Sequence, residues 1–279
     1  MLIRCWGARG SIPVSGSEYV TYGGDTTCVE IRNANDDIII IDCGNGIRRL
    51  GNRLLQEKRH EYSLIMTHAH WDHISGFPFF KPLYFSGTRI AVHGCAFAQK
   101  SIKGILSRTM EAPYFPVDLT SVKADISFSD TCGIPLTFGS MRVEPINLNH
   151  PNMGYGYRFS ENGKRFVFLT DNELEHPHPK GRAYDEYLAF CRDADLLIHD
   201  AEYTDEEYQR TQGWGHSRYR AALALALEAG VRQFGLFHHN QDRTDAALET
   251  ILGDCRRIIA AENSTMTCFA LTQDSEISL

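Results

Sequence analysis

The segment Thr67-His68-Ala69-His70-Trp71-Asp72-His73 places four metal-capable side chains within six residues. His68 and His70 lie two apart at the end of an apolar run, Tyr62 to Met66. In an extended chain, residues i and i+2 face the same side, so both imidazoles can grip one cation. Asp72 and His73 follow where the chain should turn, which aims them at a second cation. Two metals roughly 3.5–4 Å apart form a clamp for hydrolytic displacement. The alternative, a polar loop after a strand, rarely spends three His and one Asp at such spacing.

Three later segments end strand-like runs on further ligand types. Asn147-Leu148-Asn149-His150-Pro151 follows the run Met141 to Ile146. Phe166 to Leu169 leads into Thr170 and Asp171. Phe234-Gly235-Leu236-Phe237 leads into His238 and His239. Each alone reads as readily as a loop residue or a helix cap.

Together with the first motif, these residues resemble the metallo-β-lactamase superfamily, whose ligands arrive in this order. The resemblance implies that His68, His70 and His150 bind one metal. It implies that Asp72, His73 and His238 bind the other, with Asp171 bridging. His239 is the alternative to His238, which is preferred because Leu-Phe-His matches the family's Leu-x-His ending. The implied fold is α/β, an αββα sandwich with the metals at the edge where the two sheets meet, as one domain over residues 1–279.

Three features resemble the ribonuclease Z and cyclic-phosphodiesterase branch. Gly7-Ala8-Arg9-Gly10-Ser11-Ile12-Pro13 and Gly23-Gly24-Asp25-Thr26-Thr27-Cys28 look like its N-terminal signature, in which glycines allow a tight loop with exposed N–H groups. A purely structural hairpin is the other reading. His199-Asp200-Ala201-Glu202 looks like the branch's His-Glu-Ala-Thr segment, with Asp200 where the family has Glu. Trp214-Gly215-His216-Ser217 is similar to its His-Ser-Thr segment. The resemblance puts His216 on the scissile phosphate, with Asp200 or Glu202 as its carboxylate partner. A carboxylate orients an imidazole and raises its pKa, so His216 can give a proton to a leaving alkoxide. His199 reads as structural. His60, His93, His176 and His178 lack a partner motif and read as loop or strand residues.

The mechanism this implies is attack on phosphorus by a hydroxide made at the two metals, with Asp72 orienting it and His216 as acid. Zinc suits the His-rich shell, and the carboxylates also suit manganese or iron. The substrate expected is a small phosphodiester, a cyclic nucleotide or a cyclic sugar phosphate. Tyr114 and Phe115, in Met110 to Val117, could wall the site and stack on a base, or simply pack against the fold. The alternatives are a thioesterase or lactamase on the same fold, or an RNA-processing nuclease. Neither of the first two predicts the Asp200 and His216 segments. Ribonuclease Z uses a long basic Gly/Pro-rich arm to hold transfer RNA, and the sequence has no such arm. A flavodiiron reductase would carry Glu in place of His70.

Composition agrees with a small substrate. Net charge is −7, without a Lys/Arg block, which argues against an extended nucleic-acid surface. No apolar run approaches the roughly 18–20 residues that span a bilayer. The N-terminus starts a strand without a signal-peptide layout. The eight cysteines form no C-x-x-C and lie mostly in apolar runs, so buried thiols and a cytoplasmic location are expected. The family resemblance also allows a homodimer.

The elements that must position these residues alternate along the chain. Strands are expected at Met1 to Gly7, at Cys28 to Arg32 with one face exposed, at Asp37 to Asp42 fully buried, into the metal motif, and at Arg89 to His93. Helices are expected from Gly46 with Ile47, Leu50, Leu54 and Leu55 on one face, and over 97–108. After Met141, strands are expected at 141–146, 154–159, 165–170, 195–199, from Phe234, and at 266–271. Helices are expected at 184–191, 217–229 with Gly230 as C-cap, and 244–261.

Overall fold

The structure, a computed structural model, describes residues 1–96 and 101–279. Its first half alternates β1 (Leu2–Gly7), β2 (Cys28–Arg32), β3 (Ile38–Ile41), α1 (Ile47–Gln56), β4 (Glu61–Ile65), a one-turn α2 (Trp71–Ile74), β5 (Arg89–Gly94), α3 (Ile102–Arg108) and β6 (Asp125–Asp130). The second half runs β7 (Leu136–Phe138), β8 (Met141–Asn147), β9 (Tyr155–Glu161), β10 (Lys164–Leu169), α4 (Tyr184–Cys191), β11 (Leu196–Asp200), α5 (Asp205–Thr211), α6 (Tyr219–Glu228), β12 (Gln233–Phe237), α7 (Asp245–Ala261) and β13 (Thr267–Ala270). A last strand, β14 (Glu276–Ser278), returns to pair with β1.

Two seven-stranded sheets result, in the orders β14-β1-β2-β3-β4-β5-β6 and β13-β12-β11-β10-β9-β8-β7. In each, one half is antiparallel and the other parallel. Parallel strands are covered on both faces and read as continuous apolar runs, as Ile38 to Ile41 does. The sheets share a core in which Ile3, Ile31 and Ile39 of one meet Phe159, Phe166 and Phe168 of the other. A second cluster packs α4, α6 and α7 against the outer face of the second sheet. This is the αββα sandwich. No helix among the described residues is long and apolar enough to cross a membrane.

Several expectations need correction. β2 is buried almost throughout. Its polar Glu30 is not solvated: it accepts from Trp6 Nε1 at 3.0 Å and Arg32 Nε at 2.6 Å. A buried carboxylate can persist when so paired. Of the helix expected over 97–108, residues 97–100 lie outside the described residues, and α3 begins at Ile102 with Ser101 as its cap. Cys95 and Cys132 form a disulfide with Cα atoms 4.7 Å apart. The parallel pairing of β5 with β6 brings them together, since Gly94 is the register partner of Asp130. The other six cysteines are buried thiols.

The ligand-type residues follow strand ends. His68 comes after β4, His150 after β8, Asp171 after β10 and His238 after β12. All therefore reach one edge of the sandwich, where loops leave the carboxyl ends of the parallel strands β4, β10 and β12 and of β8, which is antiparallel to its neighbours but runs the same way as β10.

Candidate metal centre

The seven residues from the sequence converge. His68, His70, His150 and Asp171 form one group, and Asp72, His73, Asp171 and His238 a second, with ligand atoms inside each within 4.8 Å of one another. Asp171 belongs to both. Its Oδ2 lies 3.4 Å from His68 Nε2 and from His238 Nε2, and its Oδ1 lies 3.2 Å from His73 Nε2. Asp72 Oδ2 lies 3.0 Å from His238 Nε2. His239 is turned away, with Nε2 2.8 Å from Leu271 O.

Each ring is held by its far nitrogen. Nδ1 of His68 meets Thr67 Oγ1 at 3.1 Å, Nδ1 of His73 meets Asp42 Oδ2 at 2.7 Å, and Nδ1 of His238 meets Glu202 Oε2 at 2.8 Å. Nδ1 of His150 meets Gly215 O at 3.0 Å. This leaves Nε2 of all four toward the centre, the arrangement that fixes tautomer and aim in metal-binding histidines. His70 points Nδ1 inward instead, 3.0 Å from His150 Nε2.

The site is strained and tightly packed. Asp42, Asp171 and His238 have φ of 58°, 49° and 57°. Left-handed backbone at non-glycine residues costs of order 1–3 kcal/mol each and persists where surroundings enforce it. Gly215 has φ of 94°, and a Cβ there would sit 2.1 Å from His150 Nδ1. A Cβ on Gly10 would sit 2.4 Å from the His238 ring. Both loops thus depend on glycine to approach the histidines. The Gly10 loop also sends Ser11 N to Asp72 Oδ2 at 2.9 Å, so the N-terminal signature reaches the site by an exposed N–H.

Charge tests whether cations fit. His68 Nε2 and His73 Nε2 are buried and make no hydrogen bond. Buried polar atoms without partners are uncommon in folded proteins and ask for an occupant. Burial, then the charge on His73, lowers His68 to about 3. Burial, then His68, also holds His150 well below the usual imidazole range. Both shifts favour the neutral ring, the form that binds a metal. At His73 and His238 burial opposes charge, yet Asp72 and Asp171 respectively outweigh it and draw protons onto the rings. A cation would supply the positive charge that those protons supply here. Three imidazoles with one carboxylate suit one divalent ion, and two imidazoles with two carboxylates suit a neighbour.

His216 lies beside this cluster, its ring 5.2 Å from that of His150 and stacked 4.7 Å from that of His238. Its Nδ1 is 2.8 Å from Asp200 Oδ2 and 3.3 Å from Glu202 Oε2. The shorter Asp200 therefore still reaches, and Glu202 touches both His216 and His238. Burial pulls His216 down, but Glu202 and Asp200 overcome it and raise it to about 9. These four residues also cluster closely enough to suggest a cation. Their hydrogen bonds satisfy one another, so Asp200 and Glu202 read as the carboxylates that hold His216 and His238 in place.

Asp42 and Glu173, which also support the cluster, escaped sequence reasoning. Asp42 accepts from Thr67 N and Thr67 Oγ1, at 2.7 and 2.6 Å, as well as facing His73. The signal was a carboxylate closing an all-Ile strand. Glu173, fully buried, accepts from Gly213 N and Gly215 N at 2.7 and 2.8 Å and from Tyr208 Oη at 2.7 Å. It shapes the loop that carries His216. His178 faces Glu173 Oε2 at 2.8 Å, so it does have a partner. Asn172 bonds His199 Nε2 at 3.2 Å, which leaves His199 structural.

A cavity of about 600 Å³ opens beside His68 and His70, lined also by Tyr114. Phe115 does not line it. Its ring packs edge-on against Phe79, 5.6 Å between centroids, and lies partly buried against the core, the packing alternative that the sequence left open for it. A wider hollow of about 890 Å³, around Arg59 and Arg89, holds none of the clustered histidines.

Comparison with known proteins gives a consistent picture. Residues 38–239 match the model of the beta-lactamase superfamily domain. A ribonuclease Z of Haloarcula marismortui is 23% identical, over 85% of this chain and 86% of its own. The metallo-beta-lactamase fold protein YhfI from Bacillus subtilis superposes with a TM-score of 0.71 at 18% identity, covering 99% of this chain and 98% of that one. A diphosphatase from the PhnP family superposes at 0.69 with 16% identity, covering 100% and 97%.

Proposed function

The chain belongs to the beta-lactamase superfamily, and on that premise we propose that it is a metal-dependent phosphodiesterase acting on a small phosphodiester. The ligands are His68, His70 and His150 on one side, Asp72, His73 and His238 on the other, with Asp171 shared. Zinc suits this set best, with manganese or iron also compatible with its carboxylates. Divalent cations held there would polarise a phosphoryl oxygen and acidify the attacking water.

What supports phosphodiester chemistry is the placement of His216, held 2.8 Å from Asp200 against the ligand cluster. Hydrolysis of a phosphodiester forms one P–O bond from water and breaks another. The leaving oxygen needs a proton when it belongs to a poor leaving group. His216 is fixed by its Nδ1 and donates from Nε2. Asp200 and Glu202 keep it charged until then. Asp72, fixed by Ser11 N, is placed to orient the attacking water. Glu173 and Gly215 hold the loop that presents His216.

Cleavage of precursor transfer RNA is the second reading, favoured by the ribonuclease Z relative. Charge separates the two. A chain of net charge −7 without a basic block offers few phosphate contacts along an RNA. Turnover of a cyclic nucleotide is expected to change little between 50 and 200 mM salt. An RNA held through 6–10 phosphates would lose roughly 10³–10⁵ in affinity over the same range. Steady-state kinetics on both substrates across salt measures this. Efficient cleavage of a transfer RNA precursor with that steep slope would replace the small-substrate reading.

A further inference from the structure

The cavity beside the ligand cluster carries information about the substrate. Its volume, about 600 Å³, falls in the range of pockets for small molecules, roughly 300–1,000 Å³. Trp71 and Tyr114 both line it, and they are 64% and 86% exposed. Aromatic side chains of this size gain most by burial. Two of them left open in the same cavity is therefore a specific arrangement.

Trp71 is also held through its backbone. It stands between His70 and Asp72 in the metal motif. Its carbonyl accepts from Ser75 N at 2.8 Å, and His73 N closes the turn on His70 O at 3.0 Å. The indole is thus presented from the same short turn that carries two candidate ligands. Ile74, Ile105 and Met153 extend the apolar lining. Arg108, Thr109, Glu111 and Asn152 complete the lining with polar groups, so a planar ring can stack on the two aromatic faces while its edge and its sugar meet hydrogen-bonding partners.

We propose that this cavity takes a nucleobase, so that the substrate is a nucleotide phosphodiester with its phosphate at the ligand cluster and its base against Trp71 and Tyr114. This rests on the phosphodiesterase reading. It selects the cyclic nucleotide over the cyclic sugar phosphate.

The test uses the purified full chain in two states. In the metal-loaded state, kcat/KM is measured on adenosine 2′,3′-cyclic phosphate, glycerol 1,2-cyclic phosphate and bis(p-nitrophenyl) phosphate. The wild type is expected to favour the adenosine ester over the glycerol ester by roughly tenfold or more, the worth of one stacked base. Trp71→Ala and Tyr114→Ala should each remove most of that ratio through KM, and Trp71→Phe should keep it. In the metal-free state, AMP should quench tryptophan emission of the wild type but not of Trp71→Phe, and ribose 5-phosphate should quench neither. Equal kcat/KM on the adenosine and glycerol esters, or quenching by AMP that survives in Trp71→Phe, overturns the base-binding assignment and leaves the phosphodiesterase reading standing. Failure to hydrolyse all three esters with metals bound overturns both.

Discussion

Asp171→Ala is expected to empty both halves of the centre at once. One carboxylate faces His68 on one side and His73 and His238 on the other, at 3.2–3.4 Å. Removing it takes a ligand from each ion. It also leaves two positive ions close together with no anion between them, where Coulomb repulsion is severe. Loss of a residue one layer further out typically costs 10–100-fold in metal affinity, so the loss here should exceed about 100-fold at each position. Elemental analysis of the purified wild type should give about two divalent ions per chain. The variant should give neither, with its far-UV circular dichroism retained. A wild type holding one tightly bound ion, unchanged in the variant, contradicts the assignment of Asp171 as the shared ligand.

His216→Ala should behave differently, because His216 lies outside the ligand set. Metal content should stay. The rate on an ester whose leaving group is a ribose hydroxyl should fall by roughly 10²–10⁴, the usual contribution of general acid catalysis. The rate on bis(p-nitrophenyl) phosphate should fall far less, since p-nitrophenolate departs without a proton. A fold defect lowers both rates and cannot imitate this ratio. The pH profile gives a second readout. His216 donates only while protonated, so its contribution is present below its pKa and is lost as pH rises through it. That pKa is raised to about 9, against burial, by Glu202 and Asp200. Nearby cations would bring it lower. The wild-type rate on the ribose ester should therefore decline on an alkaline limb at or below about pH 9, and the limb should vanish in His216→Ala. Equal losses on both esters, with metals retained, would make His216 a phosphate-binding or shaping residue instead.

The candidate ligands were legible because their signal is local. Four of the seven sit within six residues, and the rest follow strand-like runs. Most strands and helices were legible for the same reason, since apolar runs and helical spacing are short-range patterns. What supports the ligands was not legible. Asp42 holds His73 from 31 residues away, and Glu173 holds Gly215 from 42 residues away. Nothing near either residue in the sequence marks its partner. β6 and β7 expose about half of their residues and carry weak apolar patterns. β14 has three residues and exists because β1 leaves an edge to cover. The Cys95–Cys132 bridge follows from strand register, which spacing alone does not reveal. Tyr114 and Phe115 are adjacent in the same aromatic segment, yet one faces the cavity and the other the core. Local sequence does not say which.

The central claim is that a metal-dependent centre in this chain cleaves phosphodiesters. It is tested most directly by assaying one metal-loaded preparation side by side on bis(p-nitrophenyl) phosphate, nitrocefin and S-lactoylglutathione, before and after removal of metals by a chelator. The expected result is hydrolysis of the phosphodiester above the other two, abolished by the chelator and restored by about two equivalents of zinc or manganese. Preferred hydrolysis of nitrocefin or of the thioester, or phosphodiester cleavage that survives removal of the metals, would contradict it.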